Sequence, residues 1–127
     1  MKTKILMVAI TLIFISCSSS DYEPTDPIVG HWELTSIVSQ GFEFINSCKS
    51  KDNIEIRSNK TFTLTSHKED DNCAEESVLG KWAYITNNKY EFSAAGDKAI
   101  FTLTSDNSLT FSFEQDSKTA VYTYKKE

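Results

Sequence analysis

From Val29 onward, apolar and polar residues alternate with a period of two rather than 3.6. That is the repeat of extended strands, whose successive side chains face opposite ways. Trp32, Leu34, Ser36 and Val38 open the pattern, followed by Ile54 and Ile56, then Phe62 and Leu64. Trp82 and Tyr84, Tyr90 and Phe92, Phe101 and Leu103, Leu109, Phe111 and Phe113, and Tyr122 and Tyr124 complete eight predicted strands. Turn-forming residues punctuate them at Ser58-Asn59, Asn87-Asn88, Ala95-Gly96-Asp97, Ser105-Asp106-Asn107 and Gln115-Asp116-Ser117. The stretch from Gly41 to Lys51 reads as a long loop between the first two strands.

Eight short strands in hairpin succession, each with one apolar face, must bury those faces against one another. An all-β, eight-stranded antiparallel up-and-down barrel does so and removes exposed edges. A two-sheet β-sandwich is the alternative. In the barrel the inward face carries Trp32, Phe62, Trp82, Tyr84, Tyr90, Phe92, Phe101, Phe111, Phe113, Tyr122 and Tyr124. Barrels of this size are either filled by side chains or hold one small ligand, and so many aromatics are enough to fill this one.

The first residues follow another pattern. Met1-Lys2-Thr3-Lys4 is basic, and Ile5 to Ile15 is apolar apart from Thr11. The run is too short to span a bilayer, which takes about 20 residues, and has the form of an export signal. With Phe14-Ile15-Ser16-Cys17 closing it, it resembles a bacterial lipoprotein signal, although Leu is more usual where Phe14 stands. The resemblance implies cleavage before Cys17, acylation of that cysteine, and attachment to outer-membrane lipid on the periplasmic face or at the cell surface. Residues 1–16 are then the signal, 17–27 the lipidated cysteine with a polar tether holding both prolines, and 28–127 the barrel. The two signal lysines come off the 13 basic residues, leaving 11 against 18 acidic ones, formally −7. No basic patch remains for nucleic acid.

With Cys17 assigned to lipid, Cys48 and Cys73 are left as a pair in an oxidising compartment. They lie almost symmetrically about the predicted Ser58-Asn59-Lys60-Thr61 turn, at the open end of its hairpin, which favours a structural disulfide.

Two Gly-x-Trp segments, Gly30-His31-Trp32 and Gly80-Lys81-Trp82, open the first and fourth predicted strands. Together with Leu34, Cys48, Cys73 and the closing Tyr122-Thr123-Tyr124-Lys125, they make Ile28 to Lys126 resemble the lipocalin-like domain of small bacterial lipoproteins. The resemblance implies a barrel and an envelope location more than a chemistry. Lipocalins proper add a helix after the barrel, whereas this pattern stops at the eighth strand, which argues against a roomy calyx.

Catalytic patterns are thin. No nucleophile–base spacing stands out, only four glycines are present, and Glu55, Glu91 and Glu114 alternate outward. An enzyme is not expected, nor a cofactor or resident metal. A metal reading would need His67 with Asp70 and Asp71, whose spacing matches no defined calcium loop; His31, opposite in phase to Trp32, faces solvent. The ligand-contact candidates are Trp32, Trp82, Tyr84, Tyr90, Phe101, Phe111, Tyr122 and Tyr124, because aromatic walls suit an apolar ligand and phenols add a polar tip. The expected function is carriage of a small hydrophobic or amphipathic ligand. The competing expectation is a solid-cored module that engages an envelope protein through Ser39 to Asp52 and the acidic loop after His67. An internal cavity near the 300 Å³ scale of ligand pockets separates the two.

Overall fold

A computed structural model describes residues 26–127; the signal, Cys17 and most of the tether lie outside the described residues. β1 (Gly30–Ser39) is followed by a two-residue β2 (Phe42–Glu43), a single 3-10 turn at Lys49–Lys51, and β3 (Asn53–Ile56). The remaining strands are β4 (Thr61–Lys68), β5 (Ala74–Thr86), β6 (Lys89–Ala94), β7 (Asp97–Leu103), β8 (Ser108–Gln115) and β9 (Lys118–Lys126). Each of β3 to β8 pairs antiparallel with the next, and β1 pairs with both β3 and β9. The sheet closes as an eight-stranded barrel with β2 as a tab outside it. The expected long loop is therefore partly ordered: β2 folds back on β1 through Val38–Glu43 and Ser39–Phe42. Glu43 secures this tab by accepting hydrogen bonds from the Ile37 amide and the Ser36 hydroxyl, each 2.8 Å. Those two bonds, the amide's the stronger, hold its carboxyl below the ordinary range.

The barrel has two unlike ends. One holds the turns around Asn59, Asn87-Asn88 and Asp106, together with the entering segment from Asp26. Asn87 and Asn88 both take positive φ, as a two-residue hairpin turn matching strand twist requires. This end is sealed. Ile28 is fully buried under the strands, and Trp32 donates its indole N–H to the Ile28 carbonyl at 2.8 Å. Trp82 donates to the Arg57 carbonyl at 2.9 Å, and the Tyr90 hydroxyl donates to Asp26 Oδ1 at 2.8 Å. Burial, reinforced by Asp26, pushes the Tyr90 phenol well above its ordinary pKa. Lys60 sits 4.2 Å over the Trp82 ring and Lys126 5.7 Å over that of Trp32, so both Gly-x-Trp tryptophans are capped by a cation.

Gly80 shows why the second motif begins with glycine. It stands opposite Phe62 in the β4–β5 register, and a Cβ there would run into the Phe62 ring and the Ser93 carbonyl oxygen. The close approach lets the Phe62 and Phe92 rings meet edge to face at 4.9 Å.

The disulfide joins Cys48 to Cys73 with their Cα atoms 5.2 Å apart. It does not bridge paired strands of one hairpin: Cys48 precedes the 3-10 turn and Cys73 lies in the β4–β5 turn. It therefore ties two loops at the open end of the barrel.

Candidate functional site

Trp32, Trp82 and Tyr90 fill the sealed half, and the other inward rings line the space beyond without filling it. That space is a cup of about 680 Å³. Its wall follows from strand parity: Ile54 on β3, Phe62, Leu64 and Ser66 on β4, Val78 on β5, and Phe92 and Ala94 on β6. Ala99 and Phe101 on β7, Phe111 and Phe113 on β8, and Tyr122 and Tyr124 on β9 continue it round. The rings form a connected ladder. Phe92 and Phe101 are 4.5 Å apart between centroids, Phe101 and Phe111 stack at 5.0 Å, and Phe111 and Tyr122 stand at 6.0 Å. Such contacts hold the wall in one arrangement and add about 0.5–1.5 kcal/mol each beyond burial.

On one side the wall is incomplete. β7 and β8 pair only through Phe101–Phe111, Thr102–Thr110 and Leu103–Leu109. Beyond this the two strands part, and an outer groove of about 470 Å³ opens there. Lys98, Ala99, Phe111 and Phe113 line both the groove and the cup. The cup thus opens at its mouth and along this split.

Polar groups in the cup are few. Lys49, Asp52, Asp97 and Lys98 supply two charges of each sign. Asp52 is buried, and its Oδ1 accepts from the His67 amide at 2.8 Å and meets the His67 ring nitrogen Nδ1 at 3.1 Å. Lys49 Nζ stands 3.8 Å from Oδ2. Burial first, then the Asp52 and Tyr122 charges, drive the Tyr124 phenol well above its ordinary pKa, so it stays neutral.

The eight candidate contact residues divide between the two ends. Phe101, Phe111, Tyr122 and Tyr124 line the cup. Trp32, Trp82 and Tyr90 do not; they form the sealed floor beneath it, with their polar atoms already bonded. Tyr84 corrects the inward assignment. Its phase is inward, but β5 runs past the floor there, so Tyr84 is 55% exposed with its ring 5.4 Å from that of Tyr90. Phe113 keeps its inward phase at the mouth and is 46% exposed.

His67, read beside the acidic loop, is instead buried against Asp52. His31 is partly exposed, with Nδ1 2.8 Å from Glu55. Among the described residues, His31, Glu33 and Glu127 bring ligand-type atoms within 4.8 Å of one another, on the surface. Sequence reading passed over Asp52 because it ends an apparent loop. Its phase with Ile54 and Ile56 was the available signal, since residues two apart share a face.

A family model for the lipocalin-like domain matches residues 28–111. No curated protein and no solved structure matches the chain. The matched span takes in the buried floor from Ile28, both Gly-x-Trp segments, the disulfide and the cup wall as far as Phe111. With more than half its length matched and a closed eight-stranded barrel beneath the match, this chain belongs to the lipocalin-like domain family.

Proposed function

We propose that this chain is a lipid-anchored protein of the bacterial envelope whose cup carries a small hydrophobic or amphipathic ligand. One observation carries the ligand reading: an open, mainly apolar cup of about 680 Å³, well inside the range of about 300–1,000 Å³ typical of small-molecule sites. Fold membership alone would not suffice, since one fold serves many functions. The anchor rests on Phe14-Ile15-Ser16-Cys17. Acylated Cys17 would hold the protein to outer-membrane lipid, because two or more acyl chains anchor durably.

Titration with N-phenyl-1-naphthylamine, a dye that brightens in apolar surroundings, tests the cup. Saturable brightening at one dye per protein is expected, abolished in Val78→Trp, which places an indole in the cup. No saturable signal, or an undiminished one in that variant, would reject the reading.

A second reading has its own support at the mouth. Phe42 and Phe44 are 70% and 55% exposed on and beside the β2 tab, and apolar residues so presented suit a partner protein. On that reading the tab engages an envelope protein. Phe42→Ser with Phe44→Ser would then abolish partner capture while leaving dye binding intact.

A further inference from the structure

We propose that the cup takes an uncharged amphiphile, with Asp52 and Tyr124 as the recognition pair for a head group carrying both a hydrogen-bond donor and an acceptor. This rests on the ligand-binding reading above and names the ligand's class.

Polar residues this deep in an apolar cup ordinarily satisfy each other, because an unpaired buried polar atom is costly. Asp52 and Tyr124 are each 6% exposed. Asp52 Oδ1 is occupied by His67, but Oδ2 has only the Lys49 ammonium at 3.8 Å, beyond hydrogen-bonding distance. The Tyr124 hydroxyl makes no hydrogen bond to a described residue. Among the described residues the one unpaired side-chain polar atom sealed from all open space is Ser108 Oγ. Neither Asp52 Oδ2 nor Tyr124 Oη is a sealed atom, and both residues line the cup.

The two residues share a level of the barrel. Leu34 of β1 pairs with Tyr124 across β9, and its amide donates to the Asp52 carbonyl at 2.9 Å. One acceptor faced only by the Lys49 ammonium and one neutral donor thus stand in the same apolar wall. A primary amide matches them, its N–H donating to Asp52 Oδ2 and its carbonyl accepting from Tyr124; a hydroxyl does so with its single O–H. A carboxylate brings negative charge toward Asp52 and offers no donor. An ammonium offers no acceptor for Tyr124, and Lys49 already offsets the Asp52 charge. Asp97 and Lys98 add one charge of each sign to the lining, with Lys98 paired to Glu91 at 3.6 Å, so the cup favours no net charge. The apolar tail then lies along Phe111 and Phe113 toward the β7–β8 split.

Competition of dodecanamide, dodecanoate and dodecylammonium against N-phenyl-1-naphthylamine at pH 7.4 tests this with the purified protein. Dodecanamide is expected to displace the dye at least about ten-fold more effectively than dodecanoate or dodecylammonium. Tyr124→Phe should weaken dodecanamide about five-fold more than it weakens the dye, the effect of one neutral hydrogen bond. Asp52→Asn should narrow the gap between amide and carboxylate. Equal or better binding of either charged amphiphile by the unaltered protein overturns neutral head-group recognition while leaving the cup reading intact, and so does an unchanged amide affinity in Tyr124→Phe. A dye that never binds rejects both.

Discussion

Removing the disulfide is the perturbation whose size follows most directly from the structure. Cys48 and Cys73 are 25 residues apart and close a loop containing β3 and β4. In the chain-entropy description, opening a loop of that length frees the unfolded chain by about 3.5 kcal/mol. For a domain of about 100 residues, each kcal/mol moves the melting temperature by about 4–8 °C. Replacing both cysteines by alanine should therefore lower it by about 14–28 °C. The cup should survive in the molecules that remain folded. Asp52 stays tied to β1 through the Leu34 amide and to β4 through His67, and Asn46 Oδ1 still accepts from the amides of residues 48 and 49. Scanning calorimetry of the oxidised protein and the double variant, with dye titration well below both transitions, reads the two consequences separately. A shift below about 5 °C would refute the loop-entropy reasoning and mean that the two loops hold together without the bond. Lost dye binding in the folded variant would refute the independence of the cup.

Three further outcomes are expected. Gly80→Ala should destabilise by about 1–3 kcal/mol in chemical denaturation, since its methyl would press on Phe62 and a backbone carbonyl that cannot turn aside; a neutral effect would show that the β5–β6 ladder yields there. Asp106 is held at about 2, first by the Thr104 hydroxyl and then by Lys125 at 3.2 Å. A carboxyl depressed on folding stabilises above its unfolded pKa of about 4 and loses that contribution as pH falls toward 2. The melting gap between the unaltered protein and Asp106→Asn should be open at pH 5 and close by pH 2, and a gap that widens in acid would contradict the assignment. Finally, Cys17→Ser should abolish labelling by a fatty-acid tracer and release the protein from membranes; continued membrane attachment would remove the lipid anchor from the proposal.

The barrel was readable because every strand from Trp32 to Tyr124 advertises its inward face by phase, and the turns between carry residues suited to tight reversals. Phase assigns a side, but not a depth. Tyr84 and Tyr122 read alike in the sequence, yet one projects past the sealed floor and the other lines the cup. Nor does phase show which aromatics pack among themselves and which leave space beside them. The rings of Trp32, Trp82 and Tyr90 gather at one end because the segment from Asp26 to Ile28 plugs it and offers hydrogen-bond partners to Trp32 and Tyr90, while the Arg57 carbonyl offers one to Trp82. Those contacts span up to 64 residues of chain, and no local pattern announces them. Asp52 is hidden for a similar reason. A charged residue beside a lysine-rich turn looks solvated, and its burial depends on His67, 15 residues on.

Native mass spectrometry of the protein isolated gently from its own membranes tests the ligand-carrier proposal most directly. The expected result is a co-purifying uncharged adduct, on the order of a few hundred daltons for a cup of this size, present at one per protein and absent from Val78→Trp. A bare protein mass under conditions that preserve other non-covalent complexes, or an adduct retained equally by the blocked variant, would contradict it and leave the exposed Phe42 and Phe44 tab as the functional surface.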